Sequence, residues 1–138
     1  MANQLYGSFL QDLMEVYFGV EPHWTDDAIT IYSCGVSDAY VFNTNHHEVE
    51  DLGANVVLSP VPLTGVDLTL GVFKAEDSES NVTSEAGNVV HAYVIFAGSD
   101  DGSQLMAYID QGQPGQLPMT LLDGKLFQRW NPAGIFRI

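Results

Sequence analysis

The chain has 138 residues, of which 46% are hydrophobic, and its 18 acidic and four basic residues give a formal net charge of −14. This length and apolar content suit one globular domain with its own core. The acidic surface repels phosphate, which argues against binding to nucleic acid or to an anionic membrane, and no apolar run is long enough to span a bilayer.

The first predicted element is an amphipathic helix over residues 5–18. Leu5, Phe9 and Leu13 recur at helical spacing along one apolar stripe, and Gly19 suits the end of such a helix. The sequence leaves two roles open for the stripe: it closes one end of a β-core, or it packs on a neighbouring subunit. In the second case Leu5, Phe9 and Leu13 contact a partner.

A turn over residues 21–27 and a strand over residues 28–34 are predicted next, because polar turn residues give way to clear alternation. Trp24, within the turn, is a candidate for contact with a partner. Cys34 is the only cysteine and cannot form an internal disulfide. Its position at the end of an apolar run predicts a small buried side chain rather than a nucleophile.

Residues 35–53 are predicted to form a loop, in which Val49 and Leu52 anchor a short helical turn. His46 and His47 precede an acidic stretch and form the densest group of possible metal ligands. Adjacent histidines point in different directions on a strand or a helix, so the pair favours a solvated loop over a zinc site. Both histidines are candidates for contact with a partner.

The centre of the fold is predicted to be a β-hairpin formed by residues 89–97 and 104–110. The first run is apolar at both parities, which is typical of a strand in the middle of a packed β-structure. Further strands are predicted over residues 55–59, 66–70, 71–75, 119–122, 125–130 and 134–138. Pro60 and Pro62 are expected to stop the first of these, and residues 76–81 are too polar for a core.

These elements predict an all-β fold, an antiparallel β-sandwich or barrel-like sandwich of about eight strands with a short N-terminal helix, in one domain over residues 1–138. Catalytic motifs are missing: the sequence has no G-x-S-x-G, no glycine-rich phosphate loop and no EF-hand order of ligands. We therefore expect a protein that is not an enzyme and that uses no cofactor or metal.

Several phrases follow one another in a fixed order along the chain. A W-x-x-D turn enters the first strand, and an L-S-x-x-x-L-T-G-V segment leads to G-V-F-x-A-x-D. Later come A-x-V-I-F, L-M-A-Y-I-D and L-P-M-T, and finally W-x-x-x-G-I-F-R-I. They lie at residues 24–29, 58–66, 71–77, 92–96, 105–110, 117–120 and 130–138.

In this order the phrases resemble a family of small virion-associated structural proteins of tailed bacteriophages. The resemblance covers most of the chain and departs from the family pattern at residues 36–52 and 111–116, and a short turn at Asp123-Gly124 replaces a glycine-rich loop. Loops carry contacts, so these departures concern the partner-binding regions.

The resemblance implies a virion protein, made in the host cytoplasm and present in many copies on the particle. A capsid decoration or cement protein on the outside of the head is the preferred interpretation, with the major capsid protein or other virion proteins as partners. A homo-oligomer is expected, and a trimer would suit the local three-fold axes of a capsid. Two alternatives stay open: a tail or neck component, and a carbohydrate- or receptor-binding β-sandwich module. Exposed Trp24, Tyr40 and Trp130 at one rim would favour the second.

Overall fold

A computed structural model describes residues 4–7, 9–10, 30–69, 72–98, 103–110 and 117–137. Within these ranges the chain is predominantly β, and every paired strand is antiparallel. The strands are β1 (Gln4–Leu5), β2 (Ile31–Val36), β3 (Val56–Pro62), β4 (Asp67–Thr69), β5 (Val72–Lys74), β6 (Ser78–Asn81), β7 (Val89–Val90), β8 (Ala92–Ala97), β9 (Gln104–Ile109), β10 (Met119–Thr120), β11 (Lys125–Gln128) and β12 (Phe136–Arg137). The all-β prediction is confirmed, although the strands are shorter and more numerous than expected.

The central element is a five-stranded sheet in the order β1-β9-β8-β2-β3. All six residues of β8 are buried, which confirms the predicted central strand. Its alternate residues face two different clusters. Tyr93, Ile95 and Ala97 join one cluster, while Ala92, Val94 and Phe96 join the other, because successive side chains of a strand point to opposite faces.

The first cluster, called here the large cluster, lies between the central sheet and a layer of three small sheets. These small sheets are β10-β7, β11-β6 and β12-β5-β4, and together they form the small-sheet layer. Phe73 and Phe136 stack within the large cluster at a centroid distance of 4.7 Å. The other cluster, called the tyrosine cluster, is covered by the loop layer, which is residues 37–55. The molecule is therefore sandwich-like, with the central sheet between two covers.

The N-terminal segment differs from the prediction. Gln4 and Leu5 form β1, paired with Tyr108 and Ala107 of β9, so the predicted helix does not include Leu5. Helical backbone occurs after β1, at Gly7, Phe9 and Leu10, and the rest of the predicted helix lies outside the described residues. Sheet pairing prevails over helical spacing at Leu5 because β9 offers an open row of backbone partners.

Three strand predictions need correction. β3 continues through Pro60 and Pro62 instead of ending before them. Because β3 is an edge strand, the two prolines, which have no amide proton, take away no hydrogen bond that a further strand would need. The polar residues 78–81 form β6, which pairs with β11. The predicted run 89–97 divides at His91 into β7 and β8, which belong to different sheets.

Candidate partner-binding surface

The outer edge of β9 is covered by two separate segments of the chain. β1 pairs with β9 at Ala107 and Tyr108. Farther along, the amide of Val49 donates to the carbonyl of Ser103 (3.0 Å), and the amide of Leu105 donates to the carbonyl of His47 (2.9 Å). The loop layer thus adds a short pairing segment to the central sheet. A partner that binds by adding a strand finds this edge occupied.

The opposite edge, on β3, is covered by side chains. Glu85 accepts hydrogen bonds from the backbone amide of Ser59 (2.6 Å) and from its hydroxyl (3.0 Å). The Asn88 amide donates to the carbonyl of Val57 (2.9 Å). Pro60 and Pro62 have no amide proton to offer. Partner contacts at the central sheet are therefore expected through side chains and loops instead of through strand addition.

The loop layer is joined to the N-terminal segment by a buried chain of hydroxyls. The hydroxyls of Tyr6 and Tyr40 share a hydrogen bond of 2.8 Å, and the Tyr40 hydroxyl and Nδ1 of His46 share one of 2.9 Å. Burial raises the pKa of Tyr6 and that of Tyr40, since the phenolate loses its water. The amide of Gly7 also donates to the carbonyl of Thr44 (2.9 Å). His46 thereby has a structural contact within its own chain.

The helical turn predicted in the loop layer is present as a 3-10 segment over Val49–Asn55, with Leu52 fully buried beneath it. Asp51 Oδ2 accepts the backbone amides of His47 (3.0 Å) and Glu48 (3.1 Å), which fixes the start of the segment. These two backbone donors lower the pKa of Asp51 because they stabilise its charged form. His47 Nδ1 lies 3.6 Å from Asp51 Oδ2 at the exposed end of the turn.

The residues expected to contact a partner have different environments. Phe9 is fully buried and meets Phe136 edge to face at 6.0 Å, so its side chain packs within its own chain. Leu5 is half-buried against the large cluster. His46 is half-buried and His47 is exposed. Leu13 and Trp24 lie outside the described residues.

Other candidate residues of the sequence also have defined places. Cys34 is buried, as predicted, and burial raises the pKa of its thiol to about 12. Tyr40 and Trp130, two of the aromatics considered for a sugar-binding rim, are buried. Among the described residues no group of three or more His, Cys, Asp or Glu side chains is arranged to hold a metal ion. No helix of the described ranges is long and apolar enough to cross a membrane.

A surface that the sequence reasoning missed lies on the two-stranded sheet β6–β11, called here the ribbon. Its outward face carries Phe127, whose side chain is 60% exposed, between exposed Lys125 and Arg129. Lys125 Nζ contacts Glu79 Oε1 at 2.7 Å on the same face. We call these four residues the ribbon surface. Nearby in the chain, Leu122 is 76% exposed. The sequence signal for this surface is the alternation of Lys125, Phe127 and Arg129, which places an aromatic side chain between two basic ones on the same face of a strand.

The phrases of the family resemblance meet in space. The backbone amide of Trp130 donates to Asp77 Oδ1 (2.8 Å), which links the ends of two distant phrases. β5 pairs with β12, so the V-F of one phrase lies beside the F-R of another. Gly134 has a φ of 130°, and a Cβ there would collide with a methyl group of Val72. These residues define how the small-sheet layer folds.

Comparisons with known proteins returned no match, whether with family models, curated proteins or solved structures.

Proposed function

We propose that this chain is a non-enzymatic structural protein of a tailed-bacteriophage virion, and that it decorates the outside of the head as a cement protein. The observation that carries the proposal is the ordered set of phrases across most of the chain. Their residues contact one another at the Asp77–Trp130 hydrogen bond and along β5–β12, so the phrases describe one folded unit.

The charge and the closed sheet edges support an external position. A formal net charge of −14 opposes contact with packaged DNA, whose phosphates repel carboxylates. Protected edges on β9 and β3 prevent uncontrolled strand pairing between copies held at high local density. Both properties suit a domain displayed in many copies on a particle surface.

The partner in this proposal is the major capsid protein, and the ribbon surface is the docking face. Exposed Phe127 supplies an apolar anchor, and Lys125 and Arg129 beside it are two of the four basic residues of the chain. Aromatic and arginine side chains are enriched among the residues that dominate interface energies. The complementary patch is therefore apolar with acidic groups at its rim.

The deciding experiment is saturation binding of the purified protein to capsids assembled without it, with the oligomeric state measured by size-exclusion chromatography and light scattering. We expect a homo-oligomer, a trimer by preference, that fills the capsids at a fixed stoichiometry. Binding to isolated tails instead of capsids would move the protein to the tail or neck. Retention on host-cell glycans with no binding to either particle would overturn the virion assignment.

Two variants locate the docking face once binding is established. Phe127→Ser removes the anchor of the ribbon surface and is expected to weaken capsid binding at least tenfold, which corresponds to about 1.4 kcal/mol or more. Val41→Ser is the matched control, because Val41 is 76% exposed in the loop layer. A loss confined to Val41→Ser would place the docking face on the loop layer while leaving the virion assignment intact.

A further inference from the structure

The ribbon reverses the usual distribution of side chains between its two faces. Its outward face carries Phe127, while its inward face carries Ser78, Ser80 and Gln128. Gln128 lies directly opposite Ser78 in the strand register, and Ser80 lies opposite Leu126. Directly opposed residues point to the same side of a sheet, so the three polar side chains share the face that packs toward the large cluster.

Five buried polar atoms, four on this inner side and one on Trp130, which follows Gln128 by two residues, have no hydrogen-bond partner among the described residues. They are Oγ of Ser78, Oγ of Ser80, Nε2 and Oε1 of Gln128, and Nε1 of Trp130. Gln128 is 1% exposed and Trp130 is 4% exposed, so bulk solvent does not reach them. Buried side-chain polar groups in folded proteins are paired with protein or with ordered water in the large majority of cases.

The atoms themselves define the chemistry of what can bind. The indole Nε1 and the amide Nε2 donate, the amide Oε1 accepts, and the two hydroxyls do both. None of them is charged, which disfavours a metal cation, since hard cations select carboxylates. Asp77, the nearby acid, already accepts the backbone amide of Trp130 through Oδ1. A ligand for this side is therefore small and neutral, and it must both donate and accept hydrogen bonds.

We propose that the inner side of the ribbon is a binding site for ordered water, held by the Gln128 amide, the Trp130 indole and the hydroxyls of Ser78 and Ser80. Water both donates and accepts hydrogen bonds, and buried waters typically make about three of them to groups that lack other partners. The site explains why a polar strand pair packs over an apolar cluster. It does not depend on the virion function.

Nuclear Overhauser spectroscopy between water and the ¹⁵N-labelled protein tests the proposal. We expect cross-peaks from long-lived water to the Gln128 side-chain amide and to the Trp130 indole proton, the latter assigned by its loss in Trp130→Phe. Gln128→Leu is expected to remove the water contact of the indole. Phe127→Ala, on the outward face of the same ribbon, should leave both contacts unchanged.

If Gln128→Leu does not fold, the double variant Ser78→Ala/Ser80→Ala serves as the test instead. It should shorten the lifetime of the water at the Gln128 amide or abolish its cross-peak. The proposal is overturned if the Gln128 amide of the unmodified protein shows no contact with long-lived water. A direct hydrogen bond between Gln128 and Ser78 with no water signal at either group would overturn it equally.

Discussion

Gly35 lies on the face of β2 that packs against the large cluster, where no side chain fits. A Cβ at this position would lie 2.7 Å from Cβ of Leu58 and 2.9 Å from Cγ1 of Val90. Both neighbours are buried and cannot move into solvent. Close packing of this kind makes even a single added methyl group costly.

We therefore predict that Gly35→Ala lowers the free energy of unfolding by about 1–3 kcal/mol, because the added methyl group forces β2 away from β3. Urea denaturation measures the change. Ser33→Ala is the matched control on the same strand, since its buried hydroxyl has no partner among the described residues. It should be neutral or stabilising by up to about 1 kcal/mol. Equal losses in both variants would contradict the steric explanation.

The hydroxyl chain of the tyrosine cluster gives a second prediction at this scale. Tyr40→Phe removes the hydrogen bonds to Tyr6 and His46 and leaves the buried Tyr6 hydroxyl unpaired, at an expected cost of about 1–3 kcal/mol. Thermal or urea denaturation measures the loss. Tyr108→Phe keeps both hydrogen bonds, because they join Tyr40 to Tyr6 and His46 while Tyr108 packs its ring against that of Tyr40, and it should cost less. A larger loss in Tyr108→Phe would show that the chain of hydroxyls contributes little.

At the scale of elements, the two edges of the central sheet are protected by different means. The edge at β9 is covered by backbone from β1 and the loop layer, while the edge at β3 depends on side chains. Side-chain cover can be removed by a single substitution without unfolding the strand. The β3 edge is therefore the more vulnerable of the two.

Glu85→Ala should expose the amide of Ser59 and promote association through β3. We expect increased light scattering at high protein concentration and only a small loss of stability, since Glu85 is partly exposed. Glu50→Ala removes the same charge from an exposed position that protects no strand and should leave scattering unchanged. Similar scattering by both variants would attribute the effect to net charge rather than to the edge.

At the scale of the whole molecule, buried tyrosine and cysteine side chains with raised pKa values make the free energy of unfolding depend on pH in the alkaline range. Burial raises the pKa of Tyr93 to about 12 and that of Cys34 to about 12, from ordinary values of 10.0 and 9.0. A raised pKa means that the folded state keeps the proton longer than the unfolded chain does. The resulting stability is complete below the ordinary pKa values and is lost as the pH rises above them.

We predict that the free energy of unfolding falls between pH 9 and pH 12. Tyr93 alone should contribute a loss of about 2 kcal/mol by the upper end, given 1.4 kcal/mol per pKa unit. Urea denaturation at a series of pH values measures the curve. Tyr93→Phe has no ionisable group at this position and should show a shallower fall. A flat curve to pH 12 would contradict the prediction.

Several features were determined by the sequence alone. The hairpin of β8 and β9, the burial of Cys34 and the helical turn anchored by Leu52 follow from alternation and spacing within short windows. Such patterns act locally, because a strand buried on both faces needs apolar residues at both parities wherever it lies. Local reasoning is sufficient for these elements.

Other features were decided by the tertiary structure. β3 passes through Pro60 because it has an outer edge, and Leu5 pairs as a strand because β9 has a free row of backbone groups beside it. The ribbon turns Gln128 inward and Phe127 outward, against the hydrophobicity of the two residues. These outcomes depend on which segments become neighbours, and partners far apart in the chain leave no signal in a local pattern.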